Sequence, residues 1–184
     1  PMSEKNAKAI ESAWLGWHRS GITMHYRPNY MLSGYALPSL DTRQSSRMLR
    51  LAVDNGMEGF DYDSLFGFWA VKGPMFYIHF RLGTRPDLIL EQILDEYYTA
   101  FGEAAALVRQ YFDYWEDFST KLTRGGITNV KESARFYPPE SFAPAEKLLQ
   151  QARLLSKGKA AERVAFLQAG LQHGRLCAEF CQAY

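Results

Sequence analysis

Three sets of residues have the types and spacing that chemistry needs. His173, Cys177 and Cys181 follow one another at four-residue steps, so on a helix they share a stripe, and an imidazole with two thiolates is part of a zinc ligand set. Against that stands the ordinary behaviour of free cysteine, which packs as a small hydrophobe. One helix seldom supplies three ligands to a tetrahedral ion, and no fourth ligand is suggested. The spacing therefore predicts two reduced thiols and no metal. Asp61 and Asp63 stand two positions apart in a β-prone run, hence on one face if the chain stays extended. Two carboxylates so placed can accept sugar hydroxyls but do not flank a glycosidic bond, as hydrolysis requires. The third set is aromatic. Tyr, Phe and Trp make up 15% of the chain and crowd into residues 26–69 and 76–118. Most must be core, but a flat apolar ring with a polar tip also suits the faces and hydroxyl edges of a sugar.

Composition narrows what these groups can serve. With 184 residues, 47% of them hydrophobic and 22% charged, the chain has the make-up of a globular domain able to bury a sizeable core. A formal net charge of +1 gives no long-range field to gather nucleic acid or an anionic membrane surface. No run of about 18 apolar residues is present, so no membrane span is expected. Two cysteines exclude a disulfide framework. No phosphate loop, no nucleophile–base–orienter set and no cofactor motif appears, so no cofactor is expected. Pro1-Met2-Ser3-Glu4-Lys5 has no apolar h-region and leads straight into an amphipathic segment, as if an upstream portion had been cut away.

The elements that must position the candidate groups follow from periodicity. Residues 5–19 place Ala9, Ile10, Ala13, Trp14 and Trp17 near helical spacing, and Gly21 stops them. A short β-prone run, 22–26, ends where Pro28 forbids an interior strand. A long loop, 27–40, precedes a helix over 42–54 with Asp41 as its N-cap and Asn55-Gly56 as its stop. Residues 57–62 form a second strand, which predicts a βαβ unit with parallel strands. Beyond Gly67, residues 69–82 read as a buried helix broken at Gly73-Pro74. Four more helices follow: one capped by Asp87 and carrying Leu90, Ile93, Leu94, Tyr97 and Phe101; one through Leu107, Tyr111, Trp115 and Leu122; one over 144–155; and one from about Lys159 to near the C-terminus. They predict an antiparallel bundle.

Two stretches, His25-Tyr26-Arg27-Pro28-Asn29 and Gly59-Phe60-Asp61-Tyr62-Asp63-Ser64-Leu65-Phe66-Gly67-Phe68-Trp69, resemble the bacterial family called domain of unknown function 4838, whose members look like glycoside-hydrolase (β/α) barrels. The likeness continues through Gly73-Pro74-Met75-Phe76-Tyr77 and from Asp95-Glu96-Tyr97-Tyr98 to Phe101-Gly102. What it implies is an α/β chain leaning mainly α: the last two β/α units of a TIM-like barrel over residues 1–84, then a helical extension over 85–184. It implies an exported protein, periplasmic or extracellular. The remaining barrel strands, and any catalytic acid on them, lie outside this sequence, so the catalytic residues are not assigned, and the remainder of the barrel or a second chain must cover the open strand edges. Barrel active sites gather at the C-terminal ends of strands, which selects His25, Tyr26, Arg27, Asn29 and Tyr30 from the first strand and Asp61, Tyr62, Asp63 and Trp69 from the second as candidates, all but Tyr62 as sugar-contacting residues. Each has a plainer role open to it: Asp61 can pair with Arg27, Asp63 can cap the turn at Ser64 and Leu65, and His25 and Trp69 can be core. The resulting expectation is the C-terminal part of a glycoside hydrolase or carbohydrate-binding barrel protein, inactive alone. The alternative is a helical protein-interaction module without catalytic activity.

Overall fold

A computed structural model of the chain describes residues 3–28, 36–62, 68–122 and 135–183. In chain order these form α1 (Glu4–Arg19), β1 (Met24–Tyr26), α2 (Thr42–Asp54), β2 (Met57–Phe60), α3 (Trp69–Thr84), α4 (Leu90–Thr99), α5 (Ala105–Lys121), α6 (Ala143–Leu155) and α7 (Gly158–Ala183), with single 3-10 turns at Gly102–Ala104 and Pro139–Ser141.

The two strands pair in parallel, Met24 beside Met57, His25 beside Gly59 and Tyr26 beside Phe60, with an irregularity after Met24 that leaves Glu58 as an extra residue on β2. Such a bulge adds local twist. Met24 and Tyr26 are buried while His25 between them is exposed, the alternation of a strand covered on one face. α2 is the crossover between the strands. Its first turn is held by a carboxylate 74 positions away: Glu116 of α5 accepts hydrogen bonds from the backbone N–H groups of Thr42, at 2.9 Å, and Arg43, at 3.0 Å. Asp41, the residue expected to cap this helix, makes no side-chain cap bond. The Ser119 hydroxyl takes the preceding Leu40 N–H at 2.9 Å.

α3 explains why the expected β/α barrel units are absent. In a (β/α) barrel the helix after a strand lies on the outside and is apolar on one side only. Here ten residues of α3 are buried, from Ala70 to Leu82 and on every side of the helix. Such a helix must be enclosed, and α2, α4 and α7 enclose it. About three-quarters of the described residues are helical, in seven helices, against two strands of three and four residues. The fold is therefore a helical one carrying a small parallel ribbon, not the end of a TIM-like barrel. α3 also runs unbroken across Pro74, where a break had been expected; the surrounding helices hold it although Pro74 donates no backbone bond.

One hydrophobic cluster takes in Ala7, Tyr26, Leu49, Phe76 and Leu82 from the first half and Ile93, Trp115, Phe142, Leu149, Leu167 and Ala178 from the second. Close helix approach is built in at α7: a Cβ on Gly174 would lie 2.6 Å from the carbonyl oxygen of Ala36, and one on Gly170 would lie 2.2 Å from the Ala70 Cβ. Cys177 and Cys181 are half-buried free thiols. No helix among the described residues is long and apolar enough to cross a membrane.

Candidate functional site

Parallel pairing brings both strand ends to one side of the ribbon, and the ladder continues one bond past β2: the Asp61 N–H donates to the Tyr26 carbonyl oxygen at 3.0 Å. That bond sets Asp61 next to Arg27, whose Nε donates to Asp61 Oδ2 at 2.9 Å. The two side chains keep 55% and 68% of their surface, so this is an exposed, polar pair able to exchange partners with a ligand. As a contribution to stability such a pair is small. The sequence suggested this pairing, 34 positions apart, and the structure contains it.

His25 is exposed on β1, its ring lying across Gly59, where an added Cβ would come within 2.9 Å of Nδ1. Tyr26 is buried and packs edge-on against Trp14 at 5.9 Å. It therefore supports the ribbon from beneath instead of presenting itself to a ligand. Asn29, Tyr30 and Asp63 lie outside the described residues. Trp69, expected beside the strand ends, is reached from them through a row of rings: Phe60 to Tyr62 at 5.3 Å, Tyr62 to Phe80 at 5.8 Å, and Phe80 to Trp69 at 6.4 Å with the last two planes only 18° apart. Phe80 and Trp69 keep 37% and 41% of their surface. Together they leave aromatic surface open to solvent, and sugar faces can pack on such rings.

His79 was not singled out from sequence, yet together with Tyr62, a candidate at the end of the second strand, it anchors this row. The Tyr62 hydroxyl and His79 Nδ1 are 2.7 Å apart. Burial in an apolar setting pushes the tyrosine hydroxyl well above its usual range and holds the imidazole down at about 3, so the bond joins a neutral phenol to a neutral imidazole. It fixes the segment that follows β2 to α3. A histidine in a helix rich in large apolar residues was the available signal, but local pattern does not report its partner, 17 positions away. Lys72, two turns earlier on α3, is also buried, which depresses its amine to about 8.

No group of three or more His, Cys, Asp or Glu among the described residues is arranged to hold a metal ion. Of the described carboxyls at the ribbon, Glu58 is exposed on the strand itself and Asp61 faces Arg27. The geometry is that of an exposed polar pair at the strand ends, with a row of rings leading from Phe60 and Tyr62 to Phe80 and Trp69. Comparison of the chain with protein-family models, with curated proteins and with solved structures gave no match in any of the three.

Proposed function

We propose that this chain binds carbohydrate at the carboxyl ends of its two parallel strands. The observation that carries the reading is the exposed Arg27–Asp61 pair, at 2.9 Å, next to a row of rings that ends in the half-exposed Phe80 and Trp69. Ligands of sheets with parallel strands gather at those ends. An aspartate and an arginine accept from and donate to vicinal hydroxyls, and flat rings cover the apolar sugar face. The resemblance of residues 25–29 and 59–69 to a family of glycoside-hydrolase-like proteins points the same way, and His25 adds an exposed donor or acceptor. The test is titration of an oligosaccharide panel into the chain and into Asp61→Ala. A charge-assisted hydrogen bond is worth about 1.5–3 kcal/mol, so the substitution should weaken binding about ten- to a hundredfold. Equal affinity of both proteins for every sugar on the panel would remove Asp61 from the site.

A second reading, a protein-interaction module, rests on a different observation. A parallel ribbon of two short strands is marginal by itself, and parallel strands are normally covered on both faces. Near it, Ile10, Trp17 and Ile22 keep 43%, 59% and 51% of their surface. A further strand laid along the ribbon would cover its edge by β-addition. Sedimentation of the wild-type chain and of Trp17→Ser separates the readings: a concentration-dependent assembly that the serine abolishes favours the module, while a single monomeric species leaves the sugar reading.

A further inference from the structure

A second concave surface lies between α3, α4 and α7. Its walls are aromatic: Trp69 and Tyr77 of α3, Tyr97 of α4 and Phe166 of α7 enclose about 270 Å³. Trp69 and Phe166 leave 41% and 53% of their surface uncovered, and large rings left open around a concavity mark a binding surface more often than chance exposure does.

The two charged residues at the rim are in different states. Glu96 is held by Arg81 of α3 through two hydrogen bonds of 2.9 Å, so its charge is compensated on the spot. Arg163 of α7 donates one bond, of 2.7 Å, to the carbonyl oxygen of Ala100, and that neutral oxygen is its one hydrogen-bonding partner among the described residues. A guanidinium carries five N–H donors in a planar fork. Four of them and the full positive charge are left at the edge of an aromatic cleft.

We infer that this cleft binds a small planar aromatic carboxylate, its ring among Trp69, Tyr77, Tyr97 and Phe166 and its carboxylate on Arg163. The fork matches a carboxylate with two parallel bonds, and offset or edge-on packing between rings is the favoured aromatic geometry. The volume lies just below the range for small-molecule pockets, about 300–1,000 Å³, which fits one ring with a short substituent. A sugar fits this cleft poorly, because its hydroxyls would meet mostly ring carbon. The site shares Trp69 with the proposed carbohydrate surface and depends on neither Asp61 nor Arg27, so each can fail without the other.

The test is calorimetric titration of 4-hydroxycinnamate into the full chain, with its neutral amide and cyclohexanecarboxylate as controls. Saturable one-to-one binding is expected, weakened by about tenfold or more in the amide, which cannot make the charge-assisted pair, and weakened similarly in the non-planar acid. Arg163→Gln should lose a comparable factor, and Asp61→Ala should lose nothing. Arg163 is exposed, and a thermal melt checks that the glutamine variant folds; the amide arm needs no variant at all. Absence of saturable binding at millimolar acid, an amide or a cyclohexane acid that binds as tightly, or full affinity in Arg163→Gln would each overturn the assignment.

Discussion

Removing the Glu116 carboxylate should unfasten the helix that joins the two strands. Glu116 is 7% exposed and accepts the N–H groups of Thr42 and Arg43 at 2.9 and 3.0 Å, two of the four donors that the first turn of any helix leaves without an internal partner. Hydrogen bonds to a charged group are worth about 1.5–3 kcal/mol each, and a carboxylate at a helix N-terminus gains a further ~0.3–1 kcal/mol from the helix dipole. Because both bonds end on one carboxylate they do not add fully, and Glu116→Ala should cost about 3–5 kcal/mol, a large share of the ~5–15 kcal/mol that a domain has in total. Glu116→Gln keeps an acceptor and loses the charge, so about 1–2 kcal/mol is expected. Urea unfolding followed by far-ultraviolet circular dichroism, with the slope against denaturant held in common, measures both. A loss under about 1 kcal/mol in the alanine variant would mean that water or a nearby side chain takes over the cap, and that α2 does not depend on α5 for its start.

Three further outcomes follow from the same packing. His79 is held neutral with a pKa of about 3 against an ordinary 6.5, so between those values the unfolded chain takes up a proton that the folded chain refuses. Stability intact above about pH 6.5 should then fall as the pH drops, by up to about 1.4 kcal/mol per pH unit from this group, and His79→Leu should flatten that part of a stability-versus-pH curve. Lys72, depressed to about 8 from 10.5, should make stability climb from pH 8 to 10.5; a Lys72→Met variant without that climb confirms the source, and one that keeps it refutes it. Gly174→Ala would set a methyl 2.6 Å from the Ala36 carbonyl oxygen, and overpacking against backbone should cost about 1–3 kcal/mol in a thermal or urea melt, whereas unchanged stability would show that α7 can shift away.

The elements were legible where a local pattern decides them. Residues 42–54 carry apolar positions on one face and an Asn-Gly stop, and α2 has those bounds; the parallel sense of residues 24–26 and 57–60 followed from the helix between them. The Arg27–Asp61 pair was legible for the same reason, since parallel strand ends fall together. What the pattern does not report is which surface an apolar face meets. α3 was legible as a buried helix, since its apolar residues occupy every side, but the pattern did not show that α2, α4 and α7 are what enclose it. The cap on α2 was assigned to Asp41 by local rule, while the acceptor came from Glu116 on α5. The Tyr62–His79 bond was out of reach in the same way, being a product of burial between elements.

The carbohydrate reading is tested most directly by backbone amide shifts in heteronuclear NMR during titration with the oligosaccharide that binds best. Saturating shifts centred on Arg27, Asp61 and Tyr62, together with the indole resonance of Trp69, and their loss in Asp61→Ala, are the result expected from the strand-end geometry. Shifts confined to the helices of the second half, or a panel in which no sugar moves these amides at millimolar concentration, would contradict it.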